Sequence, residues 1–114
     1  ARGREGHLGH RRGMAALRTE LHYLAPALLG DHVLVGDWIV HNDGRLRAFR
    51  RFQIVREADG VTLLRALIQY CCIDLDSGRP RRQPEAYRQA YVVEPAVAAA
   101  LRKEAWPFAM QPKW

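Results

Sequence analysis

The chain has 114 residues, 48% of them hydrophobic and 26% charged, with a formal net charge of +6. This length and composition suit one small domain with a core and exclude a disordered tail. No apolar run approaches the roughly eighteen residues of a membrane span, and the first residues lack the apolar centre of a signal peptide. We therefore expect one cytoplasmic domain over residues 1–114, with residues 94–114 as a helical extension.

Arginine supplies nearly all of the positive charge, sixteen of the eighteen basic residues. A guanidinium can bind two oxygens of one phosphate group, so this bias suits a phosphorylated ligand as well as nucleic acid. The arginines concentrate in three groups: Arg2, Arg4, Arg11 and Arg12; Arg45, Arg47, Arg50 and Arg51; Arg79, Arg81 and Arg82. Since charge runs are usually solvated surface, each group also has that simpler interpretation.

The first part of the chain predicts a loop and two strands. Residues 1–13 carry four glycines and are interpreted as the end of a helix followed by a loop. Residues 32–41 are apolar on both sides, as in a strand that is covered on both faces. Residues 14–24 alternate with the two-residue period of a half-buried strand. That alternation places Leu17, Thr19, Leu21 and Tyr23 on one side and Arg18, Glu20 and His22 on the other.

Two glycine-containing turns, residues 42–44 and 58–60, bound the next strands. We predict strands over residues 45–57 and 61–75, then short helices over 84–91 and 95–105, each with proline near its first turn. Cys71 and Cys72 are adjacent in a strand and point to opposite faces. Their number and spacing fit neither a zinc site nor a disulfide framework, so we interpret them as packing residues.

The predicted sheet needs a cover. Its strands have about ten residues or more, longer than the usual five or six, and such a sheet twists and curls. Neither predicted helix has the length or the apolar face to fill it. The cover must come from a partner chain or from a segment outside this sequence.

Two stretches resemble the hotdog-fold acyl-CoA thioesterases, and especially the 4-hydroxybenzoyl-CoA thioesterase type. They are residues 23–35 (YLAPALLGDHVLV) and residues 74–84 (DLDSGRPRRQP). The resemblance covers about residues 1–93 and the C-terminal two thirds of the fold. It implies an α+β hotdog fold, in which a long curved antiparallel sheet surrounds a central helix that is largely missing from this chain. The chain thus resembles a fragment of such a protein.

The family hydrolyses acyl thioesters, with a carboxylate as base or nucleophile and a helix N-terminal N–H that polarises the carbonyl. The matching Asp, His and Asn motif falls in the part of the pattern that is not present, so the catalytic residue is unknown. Glu5 lies too near the end of the helix-like remnant for that role. We therefore expect the 114-residue chain alone to hydrolyse acyl-CoA slowly or not at all.

The resemblance also implies a binding site. Basic residues in the loop between the two middle strands bind the phosphates of coenzyme A in this family, and residues 42–49 resemble that loop. A second basic group follows the last strand, where Pro80 stiffens the backbone. The implied substrate-binding residues are Arg45, Arg47, Arg79, Arg81, Arg82 and, lining the acyl pocket, Tyr23. From the residues alone, arginines at the surface or in intersubunit salt bridges and a core tyrosine are the simpler interpretations.

The implied partners are an acyl-CoA or acyl-carrier thioester and a second copy of the chain, as homodimer or homotetramer. Family members pair edge to edge into a continuous sheet, which removes an exposed strand edge. Coenzyme A is part of the substrate, so no separate cofactor, no metal and no membrane is expected.

Other functions remain as alternatives. A hotdog dehydratase or a non-catalytic acyl-binding module would share the fold. A basic nucleic-acid-binding domain would explain the charge, although the stacking aromatics and short recognition helix that it needs are not evident. His7 and His10 are three residues apart but have no third ligand nearby for zinc. Ser77 lacks the elbow motif of a serine hydrolase.

Overall fold

The computed structural model describes residues 11–112. The elements are β1 (Arg12–Tyr23), β2 (Val33–Asn42), β3 (Arg47–Arg56), β4 (Thr62–Asp74), α1 (Glu85–Ala90) and α2 (Pro95–Lys103). All six predicted elements are confirmed, with ends that shift by at most two residues. The prediction of a loop that continues through residue 13 is wrong for Arg12 and Gly13, because both residues pair with β4 as part of β1. The rest of that stretch, including Glu5, His7 and His10, lies outside the described residues.

The four strands form one antiparallel sheet in the order β1-β4-β3-β2. The turns at Gly44 and Gly60 have positive φ angles of 75° and 73°, which glycine adopts without strain. They connect β2, β3 and β4 as neighbouring hairpins. β1 instead pairs with the far side of β4, with a bulge at Leu17 where the register shifts. The two strands that come first in the sequence therefore form the two edges of the sheet.

One face of the sheet, called here the covered face, is defined by the cross-strand row Trp38, Arg51, Leu67 and Glu20. The chain after α2, residues 104–112, is called the strap, and it packs across this face. Phe108 and Met110 of the strap are buried with Val40, Phe49 and Leu67 in the hydrophobic core. The predicted lack of a cover is thus wrong for this face.

The strap is also fixed by polar contacts. The Arg51 side chain is 5% exposed, and its two terminal nitrogens donate to the Glu104 carboxylate at 2.6 and 2.9 Å. The Arg51 guanidinium lies 5.6 Å from the ring centroid of Trp38 and 5.2 Å from that of Phe108. These contacts hold the strap above β2 and β3.

The opposite face, called the open face, is defined by the row Asp37, Phe52, Ala66 and Leu21. The predicted alternation of β1 is confirmed, because Glu20 and His22 lie on the covered face and Leu21 and Tyr23 on the open face. Cys71 and Cys72 are buried, unbonded to each other and on opposite faces, opposite Ala15 and Met14. Burial raises the pKa of the Cys72 thiol, which fits a packing role for both cysteines.

Candidate functional site

The turn before β3 holds two of the predicted binding arginines in a rigid backbone. The Asp43 carboxylate accepts hydrogen bonds from the backbone N–H groups of Arg45, Leu46 and Arg47 at 2.7, 2.9 and 3.0 Å. An aspartate that satisfies several N–H groups in this way is a common means of fixing a turn. Arg45 and Arg47 are both exposed, so their guanidinium groups extend into solvent from an ordered base.

The chain after β4 turns back along the same strand. The Asp74 carboxylate accepts hydrogen bonds from the Asp76 N–H at 3.2 Å and the Ser77 hydroxyl at 2.9 Å, and these bonds lower its pKa. The Asp74 N–H in turn donates to the Arg79 carbonyl at 2.8 Å. The Arg81 N–H donates to the Cys72 carbonyl at 3.0 Å. Residues 79–81 thereby extend the sheet beside the end of β4.

These two segments meet at Gln83. Its backbone N–H donates to the Arg45 carbonyl at 2.7 Å. Its side-chain amide is buried and exchanges two hydrogen bonds with the amide of Asn42, at 2.9 and 3.2 Å. Residues 42–47 and 79–83 therefore form one continuous structure at this end of the sheet.

Five of the six predicted binding residues lie on these two segments. We call this group the basic rim; it consists of Arg45, Arg47, Arg79, Arg81 and Arg82, all exposed. Arg81 lies 4.0 Å from the Asp74 carboxylate. Among residues 11–112, no carboxylate forms an ion pair with the other four. The rim therefore presents unneutralised guanidinium groups to solvent.

Tyr23, the sixth predicted residue, lies elsewhere. It ends β1 opposite Leu64 and is 77% exposed on the open face. The interpretation of Tyr23 as a core aromatic is therefore wrong. Along β4, Leu64 is seven residues from Cys71, the partner of Arg47, or about 23 Å at 3.3 Å per residue. Only an elongated ligand could contact both Tyr23 and the rim.

The other two arginines of the middle group separate from the rim. Arg51 lies on the covered face, whereas Arg50 lies on the open face between Ile39 and Ile68. From Arg50 towards Tyr23 the open face is apolar apart from Asp37 and partly uncovered, with Leu21 at 46% and Val35 at 66% exposure. Sequence reasoning grouped Arg50 with its neighbours and missed this placement, although the alternation of a strand separates adjacent side chains.

The described residues contain no cluster of three or more His, Cys, Asp or Glu side chains that could hold a metal ion. Within the same residues, neither helix is long and apolar enough to cross a membrane.

No family model matches the sequence, and no curated protein matches it. Solved structures do. A thioesterase from Thermus thermophilus, complexed with coenzyme A and Zn, is 30% identical; the match covers 82% of this chain and 63% of that one, with a TM-score of 0.58. A 1,4-dihydroxy-2-naphthoyl-CoA thioesterase from Synechocystis is 20% identical; that match covers 76% of this chain and 64% of the other, with a TM-score of 0.63. The probable thioesterase YbaW from Escherichia coli is 22% identical; the match covers 68% of this chain and 58% of that protein, with a TM-score of 0.59.

The chain spans less than two thirds of the length of each of these three proteins. The four-stranded antiparallel sheet and the two short helices of this chain match these structures in fold. The protein therefore has the hotdog fold that these structures share, as the resemblance of residues 23–35 and 74–84 predicted.

Proposed function

We propose that the protein is an acyl-CoA thioesterase, which hydrolyses an acyl thioester to the free acid and coenzyme A, and that the basic rim binds the phosphates of coenzyme A. The observation that supports this proposal is the junction at Gln83, where the backbone of the segment that carries Arg79, Arg81 and Arg82 bonds to that of Arg45, more than thirty positions away in the sequence. The relative from Thermus thermophilus was solved with coenzyme A, which supports the choice of ligand.

The chemistry of the rim suits this ligand. The phosphates of coenzyme A are multiply charged, and charge-assisted hydrogen bonds from guanidinium groups are the strongest that side chains offer them. The backbones of Arg45 and Arg47 are already fixed by Asp43, so less conformational entropy is lost on binding. The site of the reaction itself is not assigned to a residue of this chain.

The first prediction is that the double variant Arg45→Ala/Arg47→Ala binds coenzyme A more weakly. Each lost charge-assisted hydrogen bond is expected to cost about 1.5 to 3 kcal/mol, which corresponds to a factor of ten or more in Kd. Dephospho-coenzyme A should be less sensitive to the change, because it lacks one phosphate. Isothermal titration calorimetry with both ligands measures this.

The matched control is Arg18→Ala/Arg102→Ala, which removes two exposed arginines from β1 and α2 and should leave the affinity unchanged. Equal coenzyme A affinity in the rim variant and the control would assign the rim to ordinary solvated surface. A parallel titration with oligonucleotides tests the nucleic-acid alternative, whose signature would be affinity that falls steeply with salt.

The second prediction concerns turnover. The 114 residues by themselves should release free thiol from acyl-CoA thioesters slowly or not at all, because none of them matches the catalytic motif of the family, so the proposed hydrolysis requires a catalytic group from outside these residues. A positioned general base is typically worth about a hundred- to ten-thousand-fold in rate. A thiol-detection assay that found rapid turnover by this chain would place the catalytic group among the residues present.

We also propose that the protein associates with a second copy through the edge of β2. The cytoplasmic location expected from the sequence stays a prediction.

A further inference from the structure

A cavity of about 300 Å³ lies beside Trp38, and the six residues that line it belong to β2 and β3. One wall is Trp38, and the other is Leu34 with its cross-strand partner Val55. Between the walls lie Gly36 and its cross-strand partner Gln53. No residue of the strap lines the cavity, so this part of the covered face is open to solvent. Its volume is at the lower end of the range for small-molecule sites.

The shape of the cavity depends on Gly36. A Cβ atom at this position would lie 3.3 Å from Cζ3 and 3.8 Å from Cε3 of Trp38, so a side chain here would take the space beside the indole. The ring is held in place, because it packs against the hydrophobic core and lies 5.6 Å from the Arg51 guanidinium. A flat aromatic wall therefore stands beside bare backbone before any ligand binds.

Gln53 gives the cavity its polar group. Its Nε2 donates to the Thr62 hydroxyl at 3.3 Å, which orients the amide, and its Oε1 accepts no hydrogen bond within residues 11–112. The indole N–H of Trp38 is turned away, since the opposite edge of the ring faces Gly36. None of the lining residues is charged, and placing a charge against apolar walls is costly. The cavity therefore suits a neutral ligand that donates a hydrogen bond to the Gln53 oxygen.

We propose that this cavity binds a neutral, planar aromatic molecule with one hydrogen-bond donor, such as an indole. The ring would stack with an offset on Trp38, and its donor would face Gln53. A cavity of about 150 Å³ holds benzene, so roughly twice that volume accommodates two fused rings. Gly36 and Asn42 are six residues apart on β2, or about 20 Å. The site is thus separate from the basic rim, and the inference does not rest on the proposed function.

The test compares indole with 1-methylindole, which has the same rings but no N–H. In an NMR titration of the full nitrogen-15-labelled chain, indole should cause saturable shifts of the Gly36 N–H and the Gln53 side-chain amide. Its Kd should be about fivefold lower than that of 1-methylindole, the difference that one hydrogen bond makes. Gln53→Leu should make the two Kd values equal. The matched control Gln89→Leu changes an exposed glutamine of α1 and should keep the wild-type difference.

Gly36→Ala tests the shape of the site and should weaken the binding of both indoles, because its methyl group occupies the space beside Trp38. Wild-type affinity in this variant, equal Kd values for the two indoles in wild type, or no saturable shift at Gly36 would each overturn the proposal. If indole fails to bind while the Gly36 resonance moves on dilution of the protein alone, a second copy covers the cavity and the proposal is also overturned. Coenzyme A takes part in none of these measurements, so failure of the proposed function would leave them unchanged.

Discussion

Glu20 joins the strap to β1 through hydrogen bonds that favour an ionised carboxylate. Its oxygens accept from the backbone N–H groups of Ala109 and Met110 at 2.9 and 2.8 Å, and Oε2 lies 2.7 Å from Nε2 of His22. Burial opposes ionisation of Glu20, but the bonds from Met110, Ala109 and His22 outweigh it and lower the pKa. The anion is therefore the form that the folded chain stabilises.

The directions of the two hydrogen bonds at the His22 ring follow from its neighbours. Its Nδ1 lies 3.1 Å from the Arg65 Nε, and a guanidinium has donors only, so Nδ1 is the acceptor of that bond. Nε2 is then the donor to the Glu20 carboxylate.

The third prediction is that Glu20→Gln lowers the free energy of unfolding at pH 7 by about 1 to 2 kcal/mol, because an amide has one acceptor oxygen where the carboxylate has two. A carboxyl whose pKa is lowered by folding contributes stability above its ordinary pKa of 4.5, and this contribution is lost as the pH falls through the folded-state value. The difference between the two proteins should therefore shrink in acid. Urea unfolding at a series of pH values measures it.

Glu57→Gln is the matched control, since Glu57 is exposed and its side chain makes no hydrogen bond or ion pair that the described residues show. It should leave the stability nearly unchanged at every pH. A Glu20→Gln deficit that stays constant into strong acid would mean that the ionised carboxylate is not what binds the strap.

Alternation along a strand predicts which side chains share a face, but not what they contact. It placed Glu20 with His22 correctly, because that relation depends only on β1. The partners of Glu20 are 89 and 90 positions away, and no local pattern shows that the chain returns there. The same limit applies to Arg50 and Arg51, which differ because Glu104 reaches only one face of the sheet.

At the scale of elements, the strap is the part that sequence patterns describe least well. Residues 104–112 have neither a helical nor a strand period, so they were predicted only as part of a C-terminal extension. Phe108 and Met110 are nevertheless 4% and 5% exposed, and the Trp106 Nε1–H donates to the Met110 carbonyl at 2.9 Å. α2 itself has no buried residue. The irregular strap, more than the helix, completes the core.

The fourth prediction is that Phe108→Ala lowers the free energy of unfolding by about 3 kcal/mol, in the range that truncation of a buried aromatic side chain costs. Phe108 packs with Phe49 and Leu67 in the core and lies 5.1 Å from the ring of His22. Release of the strap should also increase proteolysis after α2. Chemical denaturation and limited proteolysis measure the two effects.

Leu29→Ala provides the comparison, because Leu29 is fully exposed in a loop and should tolerate the change with almost no loss. A Phe108→Ala protein as stable as Leu29→Ala would show that the strap is not docked on the covered face in solution.

Hairpin turns could be predicted from the sequence, but the order of the sheet could not. Gly44 and Gly60 identify two hairpins directly, since positive φ at a turn is a local requirement. The pairing of β1 with β4 depends on the connection over residues 24–32, which crosses the end of the sheet. Arg56 holds that connection by donating to Asp31 at 3.1 Å and to the Pro26 carbonyl at 2.8 Å. Such a contact between distant segments has no local signature.

At the scale of the whole molecule, the edge of β2 is the most apolar unpaired edge of the described sheet. Val33, Leu34 and Val35 are 41%, 54% and 66% exposed. Leu34 and Val35 also line a cavity of about 300 Å³ that continues to Trp38 and Val55. An edge strand with free backbone groups and exposed apolar side chains favours pairing with another chain. This edge is therefore where a second copy is expected to bind.

The fifth prediction is that the wild-type chain is at least a dimer at micromolar concentration and that Val35→Lys shifts it towards monomer. A lysine on an edge strand opposes edge-to-edge pairing, because the two-fold contact would bring its charge close to an apolar surface and to the same lysine of the other copy. Val92→Lys, at an exposed valine between α1 and α2, adds the same charge away from the sheet and should leave the mass unchanged. Light scattering coupled to size-exclusion chromatography measures all three proteins. A monomeric wild type would refute self-association altogether. A dimeric Val35→Lys protein would move the interface from β2 either to the edge of β1 or to the open face, and only the second of these would place both Arg50 and Tyr23 at the contact between copies.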